Sequence, residues 1–332
     1  MIKVGINGFG RIGRIAFRSI CARKNIEVVA INDVIDIDHI AYLLKFDSVH
    51  GKFNGTVEVD NNNLIVNGKS IKITSENNPS KIPWKSSNVD FVIESSGLFT
   101  KREQAELHLN GGAKKVVISA PSINAPMFVM GVNHQKLKST DVVFSNASCT
   151  TNCLAPISKV LHTNFNIEEA LVTTVHCTTS GQTTVDAPLK KWRRGRAALN
   201  NCIPTSTSAS EALTKVIPAL EGKIKAIAIR VPVSDVSLID LTVRFKNSTS
   251  YSKIKQVVKL ASENELNGIL GYTEDAVVSQ DFVSETRTSV FDAGAGLELN
   301  NHFFKIICWY DNEFGYATKL VDLIEYSHSL EN

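Results

Sequence analysis

No window of the 332-residue chain approaches the ~18 uninterrupted apolar residues of a membrane helix, so no helical span is expected. Cysteine is scarce: six residues follow no dense spacing, which excludes a small disulfide-stapled fold and predicts free thiols in a reducing, cytoplasmic compartment. Cys149 and Cys153 have no second pair nearby, so no metal site is expected. Neither sign of charge is in excess. Thirty-six Lys and Arg against 33 Asp and Glu leave +3, which argues against nucleic acid or a membrane surface as partner. Internal repeats and low-complexity linkers are also missing. The opening run Met1-Ile2-Lys3-Val4-Gly5-Ile6-Asn7 meets glycine too soon for a signal peptide and reads as a strand. What remains is long enough for about two domains with substantial cores.

The chain is written in two styles. Up to residue 148, short Val/Ile-rich runs at 2–6, 27–31, 89–94, 115–119 and 141–145 alternate with helical or loop segments, as buried parallel strands do. Runs at 56–59, 64–66 and 70–74, with turn signals at residues 61–63 and Asn67-Gly68, predict an antiparallel excursion. Beyond residue 149 the strands lengthen and alternate, at 170–177, 225–231, 237–245 and 302–310, which suits a mainly antiparallel sheet. The expected fold is therefore α/β. A Rossmann-type parallel-sheet domain covers 1–148, and an α+β catalytic domain with a mainly antiparallel sheet covers 149–314. An amphipathic helix in 315–332, through Leu320, Leu323 and Ile324, closes back on the first domain. Residues 178–207 are polar, basic and aperiodic, and a loop of that length is usually functional.

Directly after the first strand comes Gly8-Phe9-Gly10-Arg11-Ile12-Gly13, followed by a helical pattern through Ile15, Phe17 and Ile20. Gly8 allows a tight turn, Gly10 lets the backbone approach a pyrophosphate, and Gly13 lets helix and strand pack closely. The next strand ends at Asn32-Asp33, where a carboxylate can hold both ribose hydroxyls of NAD and disfavours the 2′-phosphate of NADP.

Between Ser145 and Pro156, hydroxyl and amide side chains give way to an apolar helical pattern through Cys153, Ile157, Val160 and Leu161. With Ser148 or a neighbour as cap, Cys149 sits at a helix N-terminus, where the dipole favours the thiolate. Pro156 predicts a kink or a loose first turn. His176, at the end of a strand, is the expected base, holding the thiolate as an ion pair and then taking up the substrate's proton. Thr179, Lys190, Lys191, Arg193, Arg194, Arg196, residues 205–208 and Arg230 supply cations and hydroxyls suited to phosphate. Arg230 ends an apolar strand and needs an anion if buried.

The run Asn7-Gly8-Phe9-Gly10-Arg11-Ile12-Gly13-Arg14, the 145–156 segment, Trp192-Arg193-Arg194-Gly195-Arg196, Arg230-Val231-Pro232 and Trp309-Tyr310-Asp311-Asn312-Glu313-Phe314-Gly315-Tyr316 occur in order along the chain. Together they resemble phosphorylating glyceraldehyde-3-phosphate dehydrogenase. The resemblance implies NAD as cofactor, held through Asn7, Gly8, Phe9, Gly10, Arg11, Ile12, Asp33 and Ser119, with Asn312 orienting the nicotinamide carboxamide. It implies Cys149 and His176 as the catalytic pair. Ser148, Thr150, Thr207 and Ser208, with Arg196 near, would line an inorganic phosphate pocket, and Thr179 and Arg230 would hold the C3 phosphate of glyceraldehyde 3-phosphate. A homotetramer is implied, and Pro188 matches the NAD-using branch. Asn77, Gly181, Thr183 and the Ser208-Ala209-Ser210-Glu211 run depart from the family's usual residues. Erythrose-4-phosphate dehydrogenase, built on the same plan, is the alternative reading.

Overall fold

The computed structural model describes residues 1–331, which divide into two compact units. The first comprises 1–128, 134–147 and 317–331, and the second comprises 129–133 and 148–316. No helix among the described residues is long and apolar enough to cross a membrane.

In the first unit, β1 (Ile2–Asn7), β2 (Ile26–Asn32), β3 (Val57–Asp60), β4 (Asn63–Val66), β5 (Lys69–Thr74), β6 (Phe91–Glu94), β7 (Lys115–Ile118) and β8 (Val143–Ser145) form one sheet. Its order is β3-β4-β5-β2-β1-β6-β7-β8. β5 through β8 run parallel, and β3-β4-β5 is the antiparallel excursion. Val4, Ile6, Ile31, Val92, Ile93, Val116, Val117 and Phe144 are fully buried, which is why these strands read as unbroken apolar runs. The chain leaves β1 toward β2 on one side and later returns to β6 on the other. Their carboxyl ends therefore flank a topological switch point. Arg23, just past the Arg11–Cys21 helix, pairs with Asp322 at 2.6 Å and with Glu325, tying residues 317–331 to this unit.

The second unit carries β9 (Ile167–His176), β10 (Ile203–Ser206), β11 (Ile224–Arg230), β12 (Ser237–Phe245), β13 (Leu270–Thr273), β14 (Ser289–Asn300) and β15 (Phe303–Tyr310). They lie in the order β10-β11-β9-β12-β15-β14-β13, antiparallel except for β11-β9 and β13-β14. Ser237, Ile239, Leu241, Val243 and Phe245 point inward along β12, on the side covered by the Cys149–Phe165 helix. The row Lys225, Leu171, Thr242, Lys305, Leu297 crosses five strands on the other face, where Leu171 and Leu297 are exposed.

Three strands of this sheet escape the alternation pattern. β14 carries Gly294 and Gly296, which blur the period, and β13 is only four residues long. β10 lies inside the stretch read as loop; it holds Pro204, which an edge strand tolerates because no ladder N–H is required there. Pro156 does not break its helix. Cys149–Phe165 is one helix, and the proline sits among the fully buried Leu154, Ile157 and Leu161, whose packing outweighs one lost backbone bond.

Candidate active site

A cleft of about 270 Å³ opens at the carboxyl ends of β1, β2 and β6, with Gly8, Gly10, Asp33, Asn77, Ser95 and Ser96 among its walls. Gly8 has φ of +90°, and a Cβ there would lie 2.5 Å from the Ser96 nitrogen. A Cβ on Gly13 would lie 2.2 Å from the Gly8 oxygen, whereas one on Gly10 would meet nothing within 4 Å. The turn is thus closed on the protein side and open on the ligand side, as a bound pyrophosphate requires. Asp33 Oδ2 accepts from Phe9 N at 2.6 Å, which sets the acid at the cleft wall. Phe9 contributes only backbone, since its ring is buried edge-on against Phe17.

Asn7 is also turned inward. Its Nδ2 donates to Glu94 Oε2 at 2.6 Å and its Oδ1 accepts from Asn32 at 2.8 Å, while Glu94 also holds Ser96 N at 2.9 Å and His108 at 2.8 Å. Asn7 therefore builds the floor of the cleft. Arg11 pairs with Asp47; burial works to raise that carboxyl, but the His50 amide, Arg11 and the Val49 amide hold it at about 2. Ile12 is half-buried in the first turn of the same helix, and Ser119 N donates to the Glu94 carbonyl at 2.9 Å, just past β7. Ser95, Ser96, Leu98 and Phe99 line the cleft without having been singled out from sequence. The strand-end position of Ser95 and Ser96 after β6 was the signal available. Replacing Gly8 with alanine should weaken NAD binding roughly 10- to 100-fold, the equivalent of one forced left-handed residue with a backbone clash. A titration giving the wild-type Kd would remove this turn from the cofactor site.

In the second unit, Ser148 caps the Cys149–Phe165 helix by accepting from Thr151 N at 3.0 Å, so Cys149 is its first residue. His176 ends β9, almost fully buried, with Nε2 3.7 Å from Cys149 Sγ. Tyr310 supports both residues: its hydroxyl joins Thr150 Oγ1 at 3.0 Å and Thr174 Oγ1 at 2.8 Å, and its ring stands edge-on to the imidazole. Parallel register places Arg230 beside His176. Its Nη1 donates to the Cys177 carbonyl at 3.0 Å and to His176 Nδ1.

These contacts bring thiol and imidazole together as expected, but they do not favour the expected ion pair. Burial pushes the Cys149 thiol up, opposed first by the Arg230 charge and then by Thr150. Burial and then Arg230 pull His176 down to about 3. Both groups are neutral at neutral pH because the interior penalises either charge and Arg230 already occupies the cationic place. His176 Nδ1 lies within reach of both the Arg230 guanidinium and the Cys177 carbonyl, 2.9 Å away, so the ring nitrogen that carries the proton is set by which of the two Nδ1 engages: Nε2 when it accepts from Arg230, Nδ1 when it donates to the carbonyl.

The groups proposed to hold phosphate are more scattered. Thr150 is buried with its hydroxyl on Tyr310, the Ser148 hydroxyl is used in capping, and Thr207 Oγ1 accepts from Ala209 N at 3.2 Å. Ser208 is exposed at the start of the Ala209–Val216 helix, and Thr179 is half-buried, its N–H donating to Gln182 Oε1 at 3.2 Å. Arg196 lies on Asp186 at 2.7 Å, both side chains exposed. Arg194 instead stands in charge range of both Arg230 and His176, with burial and then Arg230 lowering its pKa. Arg230 Nε is buried with no hydrogen-bond partner among the described residues. Two guanidinium groups in mutual repulsion with an unused buried N–H between strand and loop form a place for an anion.

A dinucleotide cleft, a half-buried thiol beside a buried imidazole and an anion-seeking pair of arginines mark a nucleotide-linked oxidoreductase. Residues 2–102 match the family model for the NAD binding domain of glyceraldehyde 3-phosphate dehydrogenase, and residues 148–312 match that of its C-terminal domain. Glyceraldehyde-3-phosphate dehydrogenase 1 of Schizosaccharomyces pombe is 54% identical over 332 residues, 99% of each chain. The protein of the same name from Mucor circinelloides f. lusitanicus is 55% identical over 333 residues, 100% of this chain and 99% of the relative. That from Candida glabrata is 55% identical over 327 residues, 98% of each. The chain belongs to the glyceraldehyde-3-phosphate dehydrogenase family. The erythrose 4-phosphate alternative gains no support from these comparisons.

Proposed function

We propose that this chain is an NAD-dependent glyceraldehyde-3-phosphate dehydrogenase that oxidises D-glyceraldehyde 3-phosphate and captures the acyl group with inorganic phosphate as 1,3-bisphosphoglycerate. The observation that carries this reading is the Cys149 sulfur 3.7 Å from His176 Nε2, with Arg230 alongside, in a member of this family. Cys149 adds to the aldehyde carbon and gives a hemithioacetal. The chemistry a bound NAD would supply is hydride acceptance, which leaves a thioester on Cys149. Asp33, Gly10 and the neighbouring amides would hold the dinucleotide, and Asn312 would orient its carboxamide.

The C3 phosphate draws Arg230, with Thr179, away from His176 Nδ1. Nδ1 then takes the imidazole proton and donates it to the Cys177 carbonyl, 2.9 Å away, which leaves Nε2 free to accept the hydroxyl proton of the adduct. The first-turn N–H groups of the Cys149–Phe165 helix stabilise the oxyanion. Inorganic phosphate, met by Ser148, Thr207 and Ser208, attacks the thioester carbonyl. The carbon–sulfur bond breaks, and the cysteine leaves as thiolate.

We also assign the chain to a cytoplasmic homotetramer. Its six cysteines are free, and the second sheet presents Leu171, Ile227, Leu297 and Leu299 to solvent, a face suited to burial against another copy. The test is NADH formation from glyceraldehyde 3-phosphate with and without phosphate, before and after thiol alkylation. Activity independent of phosphate, or surviving alkylation, would overturn the reading. Comparing specificity constants for glyceraldehyde 3-phosphate and erythrose 4-phosphate decides the substrate.

A further inference from the structure

Asn312 is buried two residues past β15, and its amide is held from one side only. Oδ1 accepts from Ser237 Oγ at 2.9 Å and from Cys177 Sγ at 3.1 Å. Ser237 Oγ already accepts from Cys177 N at 3.2 Å, so its own proton is available for Asn312, and the buried Cys177 thiol is likewise a donor. An amide turned the other way would leave the hydroxyl and thiol protons without Oδ1 to receive them, its NH₂ meeting only the second lone pair of Ser237 Oγ and a weakly accepting sulfur. Oδ1 inward is therefore the better-satisfied orientation, and Nδ2 has no hydrogen-bond partner among the described residues.

The backbone is strained to deliver Ser237 to this place. Val236, immediately before it, is buried against Phe282 and Val290 and has φ of +64°, a left-handed conformation that a β-branched residue rarely adopts. Register then sets Ser237 opposite Tyr310 on β15, the strand that leads to Asn312.

We propose that Ser237 and Cys177 are positioning residues that lock the Asn312 amide with Nδ2 outward, so that the chain offers a donor, and no acceptor, to the nicotinamide carboxamide. The consequence is that the carboxamide is read through its carbonyl oxygen, which fixes the ring face presented for hydride transfer. This rests on the NAD-dependent reading above.

The probes are NAD and its 3-acetylpyridine analogue, which keeps the carbonyl and lacks the NH₂, titrated by equilibrium binding to the full-length protein. Wild type should bind both within about threefold, because the locked donor uses only the carbonyl. Ser237→Ala combined with Cys177→Ala frees the amide to rotate. NAD, whose carboxamide can pair with either orientation, should weaken roughly tenfold, and the analogue by several-fold more. Cys177→Ser, which keeps an O–H donor, should restore the wild-type ratio when Ser237 is intact. With deuterium at C1 of glyceraldehyde 3-phosphate, wild-type NADH should carry label at one C4 position and the double variant at both.

A double variant with an unchanged NAD-to-analogue ratio and a single labelled position would overturn the lock. So would a loss spread equally over NAD affinity, aldehyde KM and Cys149 alkylation, which marks a general structural defect. If the double variant does not fold, Ser237→Ala alone carries the same ratio test. A wild type that binds NAD but forms no phosphate-dependent NADH would defeat the functional reading while leaving the binding ratios decisive for the lock.

Discussion

Cys149→Ser should lower phosphate-dependent NADH formation by at least about a thousandfold while leaving NAD affinity within about twofold of wild type. A serine hydroxyl is a far weaker acid than a thiol, and the site makes the deficit worse. Burial already pushes the Cys149 thiol above its ordinary value. Whatever lowers that cost, Arg230 and the Thr150 donors, acts on an alkoxide with the same geometry but from a much higher start. The fold should be undisturbed, because Ser148 rather than residue 149 caps the helix. A second readout isolates chemistry from turnover. With aldehyde and NAD but no phosphate, wild type should release a burst of about one NADH per subunit as the thioester accumulates, and the variant none. Full turnover by the serine variant would remove Cys149 from the mechanism.

The parallel sheet and its fingerprint turn were legible because local chemistry decides them: Gly8, Gly10 and Gly13 each answer a steric demand, and Asp33 follows from the end of the next strand. The role of Asn7 was not legible in full. An amide after a strand can face a ligand or a buried carboxylate, and only the position of Glu94 from a distant strand settles it. The same limit applies to the cysteine site. Helix spacing located Cys149 at an N-terminus, yet its charge state depends on Arg230, which reaches His176 only through the register of β11 on β9. Within the basic loop, periodicity cannot tell Arg194 from Arg196. A 3₁₀ turn at Trp192–Gly195 sends the first toward Thr205 and the second toward Asp186. β14 was lost for a different reason, since its glycines erase the alternation that its partner β15 keeps.

Arg230→Gln should reduce kcat/KM for glyceraldehyde 3-phosphate by roughly 100- to 1000-fold, the range for removing one member of a buried charge pair. The same variant should lose most of its preference for the phosphorylated aldehyde over glyceraldehyde itself. That separates anion binding from damage to the thiol chemistry. The variant also decides where the positive charge beside the sulfur resides. Among the causes that lower the Cys149 pKa, Arg230 comes first, so its removal leaves burial less opposed and the thiol rises further. Alkylation by a neutral reagent, in the absence of substrate, should then be slower at any fixed pH, with its profile displaced to the alkaline side. His176 moves in the same direction, because losing Arg230 relieves one of the three effects holding it near 3; burial, the largest, and the weaker Arg194 charge remain and keep the ring neutral at neutral pH. A neutral ring cannot replace the lost charge. His176→Asn, which removes a hydrogen-bond donor but no charge, should therefore displace the alkylation profile less than Arg230→Gln does. The reverse ranking would mean that an imidazolium, and not Arg230, is the cation facing Cys149, and would restore the ion pair that the sequence alone suggests.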